Sequence, residues 1–222
     1  MESRNQEGRI MIPYEAKFGP SGKPPRYFRD ALYASLVHLK PKYCLEIGTH
    51  LGQSTAVFQQ YFDEYQPDGL VVTVDITKLV TIDSKNVKQV IVHPHVSNSG
   101  DHHRVDENLL THDTDSVKMN TDLIKEAIRN YPSLLFDFCF LDGDHQMQSV
   151  INDFEISRNV LGGSQYILLD DTEEEHHDSK RAYEEIVNSG SHNVYDFSKE
   201  WGKYCGCALV WNKNEPIQDI PF

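Results

Sequence analysis

Two rhythms of hydrophobic and polar residues take turns along this chain. Phe28, Ala31, Leu32, Ser35, Leu36 and Leu39 fall at i, i+3, i+4, i+7, i+8 and i+11. That stripe predicts an amphipathic helix, stopped by Pro41. The apolar run YCLEIG reads as a buried strand and STAVFQQYFDEY as the helix after it. GLVVTVDI, β-branched in its middle, predicts a second strand, and VKQVIVHPHV a third. Residues 97–120 are polar and rich in His and Asp, as a long loop would be. TDLIKEAIRNYP then predicts a helix with Thr121 as its N-cap, and LLFDFCFLD a fourth strand. A helix is expected from Asp144 onward, with Met147, Val150, Ile151 and Phe154 on its apolar face. GGSQYILLDD supplies a fifth strand and SKRAYEEIVNSG a helix with a glycine stop. HNVYDFSK and GCALVWNK read as a closing antiparallel pair.

This alternation predicts an α/β fold of the doubly wound, Rossmann-like kind. Its sheet would be seven-stranded and mostly parallel, with a C-terminal antiparallel strand pair and helices on both faces. Residues 1–24, broken by Pro13, Gly19, Pro20, Gly22 and Pro24, read as an irregular arm, and 25–222 as a single domain.

Composition narrows the partners. The formal charge of −13 argues against nucleic acid, whose phosphates need a basic face. No apolar run approaches the ~20 residues that span a bilayer, and the N-terminus lacks an apolar signal segment. A cytoplasmic location without membrane partners is therefore expected, and a homo-oligomer stays open. Cys44 and Cys139 sit in apolar segments as core residues. Cys205 and Cys207 read as strand packing in a reducing compartment, because no second pair completes a zinc site.

The chemistry collects at strand ends. CLEIGTHLGQST places Glu46, Gly48, Gly52 and Ser54 between a strand and a helix, where glycines permit a tight turn and the helix offers free N–H groups. Asp75 closes the second strand, where a carboxylate can accept both hydroxyls of a ribose. His50 stands where a pyrophosphate loop needs its second glycine, and Glu46 brings negative charge to the same loop. Both features favour a cationic, phosphate-free adenosine derivative such as S-adenosylmethionine over a dinucleotide. Asp142 ends the fourth strand, Asp144 and His145 follow it, and Asp170 and Asp171 end the fifth. Carboxylates gathered at one rim repel one another and call for a cation. All-oxygen ligation suits Mg²⁺, with Ca²⁺ or Mn²⁺ as alternatives.

CLEIGTHLGQST, VVTVDI, FDFCFLDGDH and GGSQYILLDD, in this order, resemble the class I S-adenosylmethionine-dependent methyltransferases. Within these the chain is similar to the metal-dependent small-molecule O-methyltransferases of the catechol and caffeoyl-CoA type. It also resembles the branch of macrocin O-methyltransferase and the proteins named cephalosporin hydroxylase. The resemblance implies a donor site of Glu46, Gly48, Thr49, His50, Gly52, Ser54 and Asp75, bordered by Asp142, with Ser97 as the adenine-side residue. It implies Asp142, Asp170 and Asp171 as metal ligands. His145 lies where the catechol-type enzymes carry their general-base lysine, and imidazole can do that work near neutral pH. The segment from Ser97 to Met119 is longer than its counterpart in the family. His102, His103, His112, His176 and His177 read as solvated or substrate-facing.

The expected activity is methyl transfer to a hydroxyl of a small molecule, whether sugar, phenol or natural-product scaffold, assisted by a divalent metal. The alternatives are a metal-independent methyltransferase, a catalytically silent S-adenosylmethionine-binding module and, least favoured, a nucleotide-dependent oxidoreductase.

Overall fold

The computed structural model describes residues 28–92, 114–127, 136–160, 166–173, 176–201 and 206–214. The arm 1–24, Ser97, Cys205, His102, His103 and His112 lie outside them.

Seven strands form one sheet: β1 (Tyr43–Ile47), β2 (Leu70–Asp75), β3 (Val87–Ile91), β4 (Phe138–Leu141), β5 (Tyr166–Leu169), β6 (His192–Asp196) and β7 (Ala208–Asn212). Their order is β3-β2-β1-β4-β5-β7-β6. β3, β2, β1, β4 and β5 pair in parallel, whereas β7 is antiparallel to both β5 and β6. The expected antiparallel pair is therefore present.

Side chains alternate across each strand, so each strand feeds two cores. Leu45, Val72, Cys139, Leu141 and Ile167 face one cluster, shared with Val117, Ile124, Phe154 and Ile186. Those partners come from α3 (Thr114–Ala127), α4 (Met147–Val160) and α5 (His177–Asn188). Cys44, Val71, Phe138, Phe140 and Leu168 face the other. There they meet α1 (Phe28–Leu39), α2 (Gln53–Tyr65) and Phe197 at the start of α6 (Phe197–Trp201). The predicted stripe of α1 is borne out in full: Ala31, Leu32, Ser35 and Leu36 are buried and Phe28 stacks on Phe140.

Four boundaries differ from the sequence expectation. α3 starts at Thr114, so Thr121 is an interior residue and no N-cap. Its buried face runs Val117, Asn120, Thr121, Ile124; two polar residues on that face hide the helical period. α4 starts at Met147 rather than Asp144, which instead accepts a hydrogen bond from Ser149 Oγ at 2.7 Å. α5 begins at His177, two residues ahead of Ser179. HNVYDFSK does not continue as one strand, because Asp196 Oδ1 accepts from Ser198 N at 3.0 Å and turns the chain into α6.

The order of strands reverses between β1 and β4, and ligands of doubly wound sheets bind at such a reversal, outside the carboxyl ends. Backbone hydrogen bonds carry the pairing one residue past the strands: Gly48 N to Val74 O (2.8 Å), Asp142 N to Ile47 O (2.8 Å) and Asp170 N to Leu141 O (3.0 Å). Gly48, Asp142 and Asp170 thus stand in a row on one rim.

Candidate active site at the carboxyl rim of the sheet

The turn from β1 to α2 is built on positive φ angles at Gly48 (104°), His50 (41°) and Gly52 (78°). Gly48 serves packing as well as turning. A Cβ there would lie 1.8 Å from the Asp142 carbonyl oxygen, so only glycine lets the β1 and β4 ends come this close. His50 adopts the same region because its N–H donates to Asp75 Oδ2 at 2.8 Å, tying the loop to the end of β2. Asp75 Oδ1 takes the backbone N–H of Thr77 at 3.0 Å. Thr49 points away from the rim: its hydroxyl shares a 2.6 Å hydrogen bond with Thr73 and it is buried.

Glu46 is fully buried in the middle of the sheet. Thr55 Oγ1 donates to its Oε2 at 2.6 Å, whereas Oε1 has no partner among the described residues. Burial pushes its carboxyl up to about 7, against the nearby hydroxyls of Ser54, Thr55 and Thr73 that favour the charged form, with the Asp75 charge adding a little. Ser54 is buried at the start of α2. A buried carboxylate oxygen facing no donor is costly unless something cationic or a proton meets it.

On the other side of the reversal, Asp142 is raised to about 7 by burial and by the charges of Asp171 and Glu46, with His145 opposing. Burial, then Asp142 and Asp171, push Asp170 well above the carboxylate range, and the Cys207 thiol, 3.1 Å from Oδ1, partly offsets this. Asp171 has φ of 56°, an uncommon conformation for a residue with a Cβ. Its Oδ2 lies 2.9 Å from His145 Nε2, and its Oδ1 lies 3.4 Å from His176 Nε2. Glu173 Oε1 stands 3.6 Å from the same His176 nitrogen. The hydrogen bond to Asp171 is the main reason His145 is raised above an ordinary histidine, although burial opposes it.

Asp142, Asp170, Asp171 and His145 are therefore neighbours, as the sequence suggests. Among the described residues, however, the ligand atoms that lie within 4.8 Å of one another belong to His145, Asp171 and His176. Sequence reasoning missed His176 as a partner of Asp171, and Cys207 as a partner of Asp170. The density of polar residues in TEEEHH just after Asp171 was a signal for the first. Nothing local signals the second, because β7 reaches β5 from 37 positions away. Cys44, Cys139 and Cys207 are all buried.

The chain is similar to known proteins in family and fold. A family model described as "Methyltransferase domain" matches residues 45–172, the segment running from β1 past the end of β5. No curated protein sequence matches the chain. Among solved structures, the O-methyltransferase from Bacillus cereus in complex with SAH is similar, at 18% identity and a TM-score of 0.50, over 89% of this chain and 83% of that one. Cofactor-bound Rv0187 from MTB is similar at 16% identity and 0.51, over 84% and 80%. CalS11, a TDP-rhamnose 3'-O-methyltransferase of calicheamicin biosynthesis, is similar at 11% identity and 0.53, over 84% and 77%. At such identities the likeness is one of fold. With the strand order and the family match together, the chain belongs to the methyltransferase-domain family and carries its Rossmann-like, class I architecture.

Proposed function

We propose that the chain is an S-adenosylmethionine-dependent O-methyltransferase acting on a small-molecule hydroxyl. The observation that carries this reading is Glu46: a fully buried carboxylate at the strand reversal with one oxygen unpartnered among the described residues. A cation placed there satisfies that oxygen and restores the charged form. The amino and sulfonium groups of the methyl donor are such cations, and Asp75, on the next strand, stands where the ribose hydroxyls fit. The donor supplies an activated methyl group for in-line displacement by the acceptor oxygen.

The residues of the chain do the rest. Glu46 and the turn of Gly48, His50 and Gly52 hold the donor, and Asp142 borders it from β4. His145 accepts the acceptor's proton. Its Nε2–H donates to Asp171 Oδ2, so the lone pair lies on Nδ1. Asp171 fixes that tautomer and stabilises the imidazolium that forms. Positioning of acceptor and donor supplies the larger share of the rate, on the order of 7–11 kcal/mol.

Asp142, Asp170 and Asp171 would suit a divalent ion such as Mg²⁺ by their all-oxygen chemistry, and an ion there would polarise the acceptor hydroxyl. Among the described residues the ligand atoms within 4.8 Å of one another are those of His145, Asp171 and His176. The net charge of −13 favours a small acceptor over nucleic acid. Among the described residues no helix is long and apolar enough to cross a membrane.

The test is calorimetry with S-adenosylhomocysteine, followed by methyl transfer from labelled donor to sugar, phenol and polyketide-type hydroxyls. Donor binding that weakens at least tenfold in Glu46→Gln, with label moving to an oxygen, supports the reading. Tight NAD binding with no affinity for S-adenosylhomocysteine would overturn it.

A further inference from the structure

We propose that Cys207 is a positioning residue for Asp170: its thiol holds the Asp170 carboxylate in one orientation on the acidic rim. Through that hold it sets the affinity of Asp142, Asp170 and Asp171 for a divalent ion, a consequence that rests on reading those three aspartates as metal ligands. The Cβ–Cγ torsion of an aspartate is broad, so a carboxylate without a fixed donor turns readily. Asp142 and Asp171 place like charge beside Asp170 and favour its turning away. The Cys207 thiol donates to Asp170 Oδ1 at 3.1 Å, and a donor fixed on one oxygen fixes the plane of the group. The donor itself is anchored by the sheet. β7 runs antiparallel to β5, and the pair Leu169–Ala208 sets Cys207 opposite Asp170 one step further along. On one side of Cys207, Gly206 O accepts from Thr172 N at 2.8 Å; Cys207 O itself accepts from Phe197 N at 3.0 Å.

A thiol suits this place because it faces two environments. Cys207 is fully buried in the core cluster of Phe140, Leu168, Phe197 and Leu209. There it packs as a small hydrophobe, yet its S–H can still donate, and an ionised acceptor strengthens that bond. The two roles rank substitutions in opposite order. If packing alone matters, alanine is tolerated at least as well as serine, since burying a hydroxyl is costly. If the donated proton matters, serine keeps the function and alanine loses it. Groups that orient a metal ligand typically contribute about 10–100-fold to metal affinity.

The experiment uses the full chain. Wild type, Cys207→Ala and Cys207→Ser are titrated by calorimetry with Mg²⁺ and, separately, with S-adenosylhomocysteine, and a cooperative melting transition shows that each variant folds. Cys207→Ala should weaken Mg²⁺ at least tenfold and Cys207→Ser less than threefold, with S-adenosylhomocysteine affinity within threefold in both. A metal-free readout stands beside this. The infrared S–H stretch that disappears in Cys207→Ala should lie below that of an unbonded thiol and rise in Asp170→Ala. Mg²⁺ affinity unchanged in Cys207→Ala, serine no better than alanine, or an S–H band that Asp170→Ala leaves in place would overturn the proposal. So would a wild type that binds S-adenosylhomocysteine but no Mg²⁺, and the donor reading then stands without the ion. The expected order of Mg²⁺ affinities in a chain that does not bind S-adenosylhomocysteine keeps the positioning role and removes the proposed donor instead.

Discussion

Thr55 Oγ1 donates to Glu46 Oε2 at 2.6 Å across the turn from β1 to α2, and this bond holds the buried carboxylate with its other oxygen left over. Burial raises Glu46 to about 7 from 4.5, a preference of about 3 kcal/mol for the neutral form. The folded chain holds this proton more tightly than the unfolded one. The associated stability is therefore fully present below about pH 4.5 and is lost as pH rises through about 7. Relative to Glu46→Gln, the ligand-free wild type should lose stability across that window in urea titrations. Affinity for the cationic donor should rise over the same window in the wild type and stay flat in the variant. Parallel pH profiles for the two proteins would show that Glu46 does not carry the proton.

Asp75 spends one oxygen on the His50 N–H and the other on the Thr77 N–H, so it shapes the loop; on the proposed reading it also faces the donor. Asp75→Ala should weaken S-adenosylhomocysteine at least tenfold in calorimetry. An unchanged affinity would remove Asp75 from the donor site.

Asp171→Asn keeps the shape of the side chain but removes the charge that holds His145. On the proposed mechanism kcat should fall by roughly 10²–10⁴, with donor affinity within about threefold. A kcat that stays within about threefold of wild type would separate Asp171 from proton transfer.

Gly48 and Gly190 both have positive φ, yet a Cβ at Gly48 would meet the Asp142 carbonyl oxygen at 1.8 Å, and one at Gly190 meets nothing within 4 Å. Gly190→Ala should cost about 1–2 kcal/mol, the price of the backbone conformation alone. Gly48→Ala should cost clearly more, about 3 kcal/mol or above, because the β1 and β4 ends must separate. Equal losses in denaturant titrations would show that the close approach is not what demands glycine.

Where the sequence is strongly periodic it is read correctly. The α1 stripe, the β-branched run of β2 and the apolar FCFL of β4 leave few alternatives, because the pattern of burial and the pattern of residues coincide. α3 is the counterexample. Asn120 and Thr121 lie on its buried face, so local polarity points to a loop where packing makes a helix. Likewise HNVYDFSK looks like one strand, yet Asp196, the last residue of β6, turns its side chain to Ser198 N and starts α6.

The order of carboxylates at the strand ends is a property of the sequence, and with the alternation of elements it determines that the proposed donor site and an acidic rim lie on one edge of the sheet. Strand periodicity and strand ends are local, so a linear reading reaches them. Which atoms converge is a different matter. That His145 and His176 share Asp171, that Cys207 meets Asp170, and that Gly48 makes room for Asp142 all depend on the lateral order of strands and on backbone angles in the loops. Those contacts join segments far apart in the chain. Only the folded sheet brings their side chains within bonding distance and decides whether the rim offers a metal oxygens alone or nitrogens as well.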